Sequence, residues 1–216
     1  MVSSAVKKYA ALCMVCLCSS LFFLGLYQFN NKYSQNTIQA ANGILALSEE
    51  ELQKSPVRFL VSGWAFYPDA LLTPEEIQDE SHYMRYLSIG DQTNFSSPAN
   101  PSPYGCGTYQ MTFFLPGRKE TYALEIPEVF SAYNLYLDHD LILQMGEPAQ
   151  RTPLVQNRMV TFHGGKPVTL TIAVSNYDHF YGGIVYPPAF GTMLAVNTTR
   201  GIRFAFCLFS CTVTFV

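Results

Sequence analysis

Two apolar segments bracket this chain, and the first of them limits where the rest can fold. Lys7 and Lys8 precede an uncharged run from Tyr9 to Tyr27. A helix of that length covers the ~30 Å hydrocarbon layer of a bilayer, and paired lysines ahead of it favour a cytoplasmic N-terminus. A cleaved signal sequence is the alternative. Its apolar region would exceed the usual ~7–15 residues, and the nearest small-residue site, Ala40-Ala41, lies well beyond it. The preferred reading is an uncleaved anchor, with residues 1–8 as the cytoplasmic N-terminus and 9–27 as the transmembrane segment.

Phe204 to Val216 is also uncharged and apolar, yet shorter than the ~20 residues a crossing takes. It is expected to be the start of a second membrane helix, over 201–216, inside which the sequence stops. The alternative is a terminal strand, since Thr212-Val213-Thr214-Phe215 alternates. Residues 28–43 include the polar, aperiodic stretch NNKYSQNTIQAAN and read as a stalk. That leaves 44–200 as one extracytoplasmic domain of ordinary size.

Nearly half the residues are apolar and 13% are charged, which excludes a disordered chain. Residues 28–202 hold all 16 acidic residues and 10 of the 13 Lys/Arg, a net charge of −6. Nucleic acid and anionic lipid both need a basic face, so neither is expected as the ligand. Five of the six cysteines (Cys13, Cys16, Cys18, Cys207, Cys211) lie in the apolar ends. Cys106 stands by itself between them, so no internal disulfide is expected there. The CxxC-like spacing at the N-terminus suits small, soft residues in a membrane helix better than a metal site.

Between the ends the pattern is that of short strands. Val168, Leu170, Ile172 and Val174 alternate with Thr169, Thr171 and Ala173, which requires one buried face. Thr108–Leu115 forms a second strand, closed by Pro116-Gly117. Tyr122, Leu124 and Ile126 line a third, which Pro127 ends. Residues 132–145 read as a hairpin with Asp138-His139-Asp140 at its tip, where Asp and His tolerate left-handed backbone. Further strands are expected at 57–62, 64–67, 159–163 and 190–196. Thr73-Pro74-Glu75-Glu76 supplies an N-cap, a proline at the first helical position and a capping-box glutamate, so a short helix starts there. Many short strands with regular turns indicate an all-β fold, a β-sandwich or jelly roll.

Little in the chain suits catalysis. Asp138-His139 and Asp178-His179 are neighbours, and adjacent strand residues point to opposite faces, so neither pair makes a ready dyad. The four histidines (His82, His139, His163, His179) lack zinc-binding spacing, and no phosphate-binding loop or nucleophile elbow is present. Hence no enzyme, no metal and no cofactor are expected. Asn94-Phe95-Ser96 and Asn197-Thr198-Thr199 match the glycosylation sequon, which matters only in a eukaryotic secretory pathway. The loop after the clearest strand is richer. Asn176, Tyr177, Asp178, His179 and Tyr181 gather rings and short polar groups there, a mixture that suits a small polar ligand such as a sugar. Rings that merely plug the end of the sandwich are the alternative.

A family resemblance enters at this loop. Gly63-Trp64-Ala65-Phe66-Tyr67, Leu71-Leu72-Thr73-Pro74-Glu75-Glu76 and Tyr104-Gly105-Cys106-Gly107-Thr108-Tyr109 follow one another in order. Leu124-Glu125-Ile126-Pro127, Ser131-Ala132-Tyr133-Asn134-Leu135-Tyr136 and Val174-Ser175-Asn176-Tyr177 with His179 and Gly182-Gly183 come next. Together, over roughly 44–196, they resemble the N-terminal extracellular domain of bacterial seven-transmembrane receptors with diverse intracellular signalling modules, typically histidine kinases or diguanylate cyclases. That domain is similar to the galactose-binding-like jelly roll, also seen as the non-catalytic sugar-binding domain of family 2 glycoside hydrolases. Two positions depart from the family: Asp138-His139 stands for its Asn-Gly, and Ser88-Ile89-Gly90-Asp91 for its Pro-Gly-Ser-Trp. The resemblance implies a sensor input domain at the cell membrane that binds a small extracytoplasmic ligand, a carbohydrate foremost, and signals through membrane helices. The alternatives are a docking or homodimerising module without a small ligand, or the accessory domain of a surface glycosidase.

Because Cys106 has no soluble-part companion, Cys106→Ser should leave the melting temperature unchanged in oxidising and reducing buffer alike. A melting temperature that falls on adding reductant to the wild-type chain would reveal a crosslink.

Overall fold

The computed structural model describes residues 4–33, 40–78, 82–90, 95, 102–117, 120–150 and 152–214. The chain divides into two compact units, Met1–Gln35 and Asn36–Val216. In the first, the apolar run forms one helix, α1 (Ser4–Asn30). Its stretch Val6–Asn30 is long and apolar enough for a membrane span or a signal sequence, and among the described residues it alone meets both measures. Between Tyr9 and Tyr27 its apolar side chains are distributed around the whole helix rather than gathered on one face.

The second unit runs β1 (Ile44–Ala46), α2 (Glu49–Lys54), β2 (Val57–Phe59), β3 (Trp64–Pro68), α3 (Pro74–Ile77), β4 (Arg85–Leu87), β5 (Gly105–Phe114) and β6 (Thr121–Ile126). It continues with β7 (Ala132–Leu137), β8 (Asp140–Met145), β9 (Arg158–His163), β10 (Val168–Asn176), β11 (Ala189–Thr192) and α4 (Met193–Thr214). Sheet A has the order β4-β3-β5-β10-β7-β8, with β1 added in parallel to β5, and sheet B the order β2-β11-β6-β9. This is the jelly-roll sandwich expected.

Alternation in β10 is what builds it. Val168, Leu170, Ile172 and Val174 are at most 4% exposed and face sheet B, while β5 and β7 pair along both edges of the strand. Strand β6 answers with Tyr122, Leu124 and Ile126, all buried. Phe190 joins the two layers, stacked on Tyr122 at 5.7 Å and 15° and lying 5.0 Å from Phe113. Such ring pairs add to simple area burial. Trp64 is fully buried, and its indole N–H donates to the Leu60 carbonyl at 2.9 Å.

Local signals hold where their chemistry is self-contained. Asp138 takes φ 53° at the β7–β8 tip, and its Oδ1 accepts from the Thr169 N–H at 2.8 Å. Thr73 and Glu76 close the expected capping box of α3. Ser48 and Glu51 close another at the start of α2, a helix absent from the strand reading. The segment after β3 then crosses the outer face of sheet A as a strap. The Leu72 N–H donates to Thr108 Oγ1, whose hydroxyl donates to the Ala70 carbonyl. Beyond them Glu75 pairs with His139 at 2.8 Å.

Three expectations are corrected. Residues 40–43, expected in the stalk 28–43, belong to the folded unit: Ala40 is buried, Ala41 bridges to Ile44 and the Gly43 carbonyl accepts from the Thr112 N–H, while 34–39 lie outside the described residues. The strand expected at 190–196 stops at Thr192, whose hydroxyl caps a helix by accepting from the Ala195 N–H. That helix, α4, runs through the boundary set at 200/201, and a terminal strand does not form. Helical spacing of Ala195, Val196, Thr199 and Arg203 seats α4 on the outer face of sheet B, with Val196 1% exposed. Arg200 reaches Glu125 at 3.8 Å, and the Arg203 guanidinium lies 4.8 Å from the centre of the Phe59 ring. The departure Ser88-Ile89-Gly90 places Ile89 in the core, its N–H donating to the Val61 carbonyl at 2.7 Å. Asp91 and the sequon residues Asn94 and Ser96 fall outside the described residues.

Phe190→Ala should lower unfolding free energy by about 3–5 kcal/mol, and Thr73→Ala by about 1 kcal/mol. Urea unfolding of the whole chain in detergent checks both; equal losses would show that Phe190 does not join the layers.

Candidate functional site

The loop between β10 and β11 crosses from sheet A to sheet B at one end of the sandwich. The same end gathers the β6–β7 connection, residues 127–131, and the segment 102–104 that leads into β5. Register places it there, since Asn176 pairs with Gly105, Ser175 with Ala132, and Ala189 with Glu125.

Asn176 is 3% exposed and clamps the loop. Its Nδ2 donates to the Pro103 carbonyl at 2.8 Å and to the His179 carbonyl at 2.6 Å, and its Oδ1 accepts from the His179 N–H at 3.2 Å. Its amide is therefore used inside the fold, where Asn176 holds the loop's first turn. Two buried glycines follow. A methyl group at Gly182 would strike the Pro103 carbonyl, and one at Gly183, where φ is +80°, would strike the Tyr109 hydroxyl. Tyr109 is itself fixed by a backbone hydrogen bond with Ile184, and burial pushes its phenol up to about 12.

Over this base lies a cluster of rings. His179 stacks on Phe130 at 4.6 Å and 11°. Tyr181 lies 5.6 Å from His179 and 6.2 Å from Phe130, and Tyr186 meets Phe130 edge-on at 6.5 Å. The Tyr181 N–H donates to His179 Nδ1 at 3.1 Å, so that nitrogen is an acceptor and neutral His179 carries its proton on Nε2. Tyr177 is half-buried, Asp178 is exposed, and Phe180 is 73% exposed. Of the five residues expected at a site, His179 and Tyr181 meet in this cluster, while Tyr177 and Asp178 share the loop. Phe130 and Tyr186 complete the cluster; the sequence offers no periodic signal for either. Ser131 Oγ and Tyr133 Oη are buried at this end and bond to none of the described residues, and burial pushes the Tyr133 phenol up to about 12.

The arrangement offers ring faces, one imidazole and one carboxylate, which can hold a polar molecule by stacking and hydrogen bonds. The Asp-His neighbours find separate partners: Asp138 holds Thr169, His139 holds Glu75, and His179 holds the Tyr181 backbone. At the opposite end an open groove of about 520 Å³ is lined by Leu47, Glu51, Phe114, Pro116, Lys166 and Pro167. Glu51 is already engaged in the α2 capping box, and Phe114 is the one aromatic ring among the described residues lining that groove.

No family model matches the chain, and no curated protein matches it. Solved structures similar to it include a GH2 beta-galacturonidase from Eisenbergiella tayi bound to galacturonate: 13% identity over 62% of this chain and 24% of that one, TM-score 0.45. Another is a beta-glucuronidase from Faecalibacterium prausnitzii, with 17% identity over 64% and 32% of the two chains and TM-score 0.43. A glycosyl hydrolase family 2 member from Bacteroides cellulosilyticus DSM 14838 shares 12% identity over 63% and 20%, with TM-score 0.49. The match spans a third or less of each of these proteins. Likeness at this level brings neither activity nor ligand to this chain.

Asn176→Ala removes three hydrogen bonds and should cost about 1–3 kcal/mol for the buried partners left behind. Limited proteolysis should then cut within 177–188. Unchanged stability and an uncut loop would show that the clamp is not needed.

Proposed function

We propose that this chain is the membrane-tethered, extracytoplasmic ligand-binding domain of a bacterial signalling receptor. It takes a small polar ligand, a carbohydrate foremost, on the β10–β11 loop. Tyr177 and Tyr181 stack on the ligand, and Asp178 and His179 hydrogen-bond to it. The observation that carries this reading is the continuity of site and helix. The loop is clamped at Asn176 and leaves through Ala189–Thr192, a strand of four residues that passes straight into α4. A ligand that repositions the loop therefore acts one short strand away from the helix whose later turns are read as entering the membrane. Ring faces suit the C–H faces of a sugar, and the neighbouring polar groups suit its hydroxyls.

One observation favours the docking reading instead. Strand β8 is an edge strand with Leu141 and Ile142 nearly half exposed, a surface on which a partner strand can add.

A thermal-shift screen of the detergent-solubilised chain against neutral mono- and oligosaccharides, followed by calorimetry, separates the two. A binding sugar is expected, with Tyr181→Ala and Asp178→Ala each weakening it by about 1–3 kcal/mol at unchanged stability. If no sugar shifts the melting curve and Ile142→Lys abolishes self-association, the docking module takes its place.

A further inference from the structure

We propose that the end of the sandwich carrying the β10–β11 loop rests on the lipid surface, with Phe180, Tyr104 and Tyr186 as its interfacial contacts. This rests on the reading above that the later turns of α4 enter the membrane.

The direction of α4 carries the inference. The helix starts at Met193, beside Thr192, which pairs with Tyr122 near the far end of sheet B. By Arg200 and Arg203 it has come back to Glu125 and Phe59. Both of these pair with Ala189, the residue at which the aromatic loop enters β11. The helix thus lies antiparallel to β11 and leaves the fold at the loop's own end. From Phe204 to Thr214 it gains roughly 16 Å at 1.5 Å per residue. Phe204, Leu208 and Phe209 in that stretch are 67%, 53% and 55% exposed. A membrane entered by this segment therefore lies against the end of the sandwich that carries the loop.

The side chains at that end fit such a surface. Phe180 is 73% exposed, Tyr104 48% and Tyr186 39%. Exposed rings gathered at one end suit the boundary between headgroups and acyl chains, where an apolar body and a polar tip are both satisfied. Within 102–104, 127–131 and 177–188 the charged residues are Glu128 and Asp178, with no Lys or Arg. Arg158, Arg200 and Arg203 lie at the same end and offset these two carboxylates, so neither sign dominates and the partner that fits is a zwitterionic bilayer. The ligand would then be met within the headgroup layer.

The full chain reconstituted in phosphatidylcholine vesicles tests this, with bromines placed either shallow or deep in the acyl chains. Trp64, the native tryptophan, is fully buried and supplies a constant background. Phe180→Trp and Leu208→Trp change exposed positions and should leave the fold intact. The expected result is loss of fluorescence beyond wild type in both variants, with the shallow bromines the better quencher of Phe180→Trp. Quenching of Leu208→Trp but not of Phe180→Trp would overturn the inference while leaving the membrane reading of α4 standing. Quenching of neither would remove that reading, and the inference with it.

Discussion

The nine-row pairing of β5 with β10, from Val168–Phe113 to Asn176–Gly105, is the constraint on which the rest of the domain depends. Every side chain in the centre of sheet A takes its face from this register. A slip of one residue would turn Leu170, Ile172 and Val174 outward and bring Thr169 and Thr171 into the aromatic core. The same register fixes where β10 stops. Asn176 ends opposite Gly105, within reach of the Pro103 carbonyl, so the site is positioned by the strand that holds the core together.

Crossing from one sheet to the other requires the chain to turn without a ladder to satisfy its backbone. Asn176 meets that need by bonding a carbonyl and an N–H of His179, and Gly182 and Gly183 let the chain pass against Pro103 and Tyr109. The rings above are then held by one another, with His179 between the Phe130 face and the Tyr181 N–H. Rigid support below and open rings above is the arrangement a recognition surface needs. The helix that follows is pinned at the same row of sheet B by Arg200 and Arg203.

Features that depend on a few neighbouring residues were legible in the sequence. The alternation of β10, the Asp138 turn and the Thr73–Glu76 box each need only their own segment. The Ser48–Glu51 box is as plain, but it caps a helix of only six residues, too short for an apolar period to mark it as well. Residues 190–196 mislead for a different reason. Alternation through Gly191 and Thr192 continues locally, but packing on β2 and β6, far away in sequence, favours a helix from Met193. Asn176 is the sharpest case at the site. A polar residue at a strand end suggests a ligand contact, and the fold binds its amide to a carbonyl 73 residues earlier, which no local pattern can announce. Phe130 likewise joins the cluster only through the pairing of its neighbours Ala132 with β10 and Ile126 with β9.

The strap from Asp69 to Gln78 has a thermodynamic meaning of its own. It is tied to sheet A by the two bonds of Thr108 near one end and by the Glu75–His139 pair near the other, and both partners of that pair are 60% exposed. A contact so open to water contributes little to stability. Among the described elements this strap has few buried ties, and a segment of that kind opens sub-globally while the sheets stay closed. Its amides therefore exchange with solvent ahead of those in β5 and β10. Each opening briefly wets Thr108, whose hydroxyl joins the strap to the sheet, and leaves the aromatic interior dry.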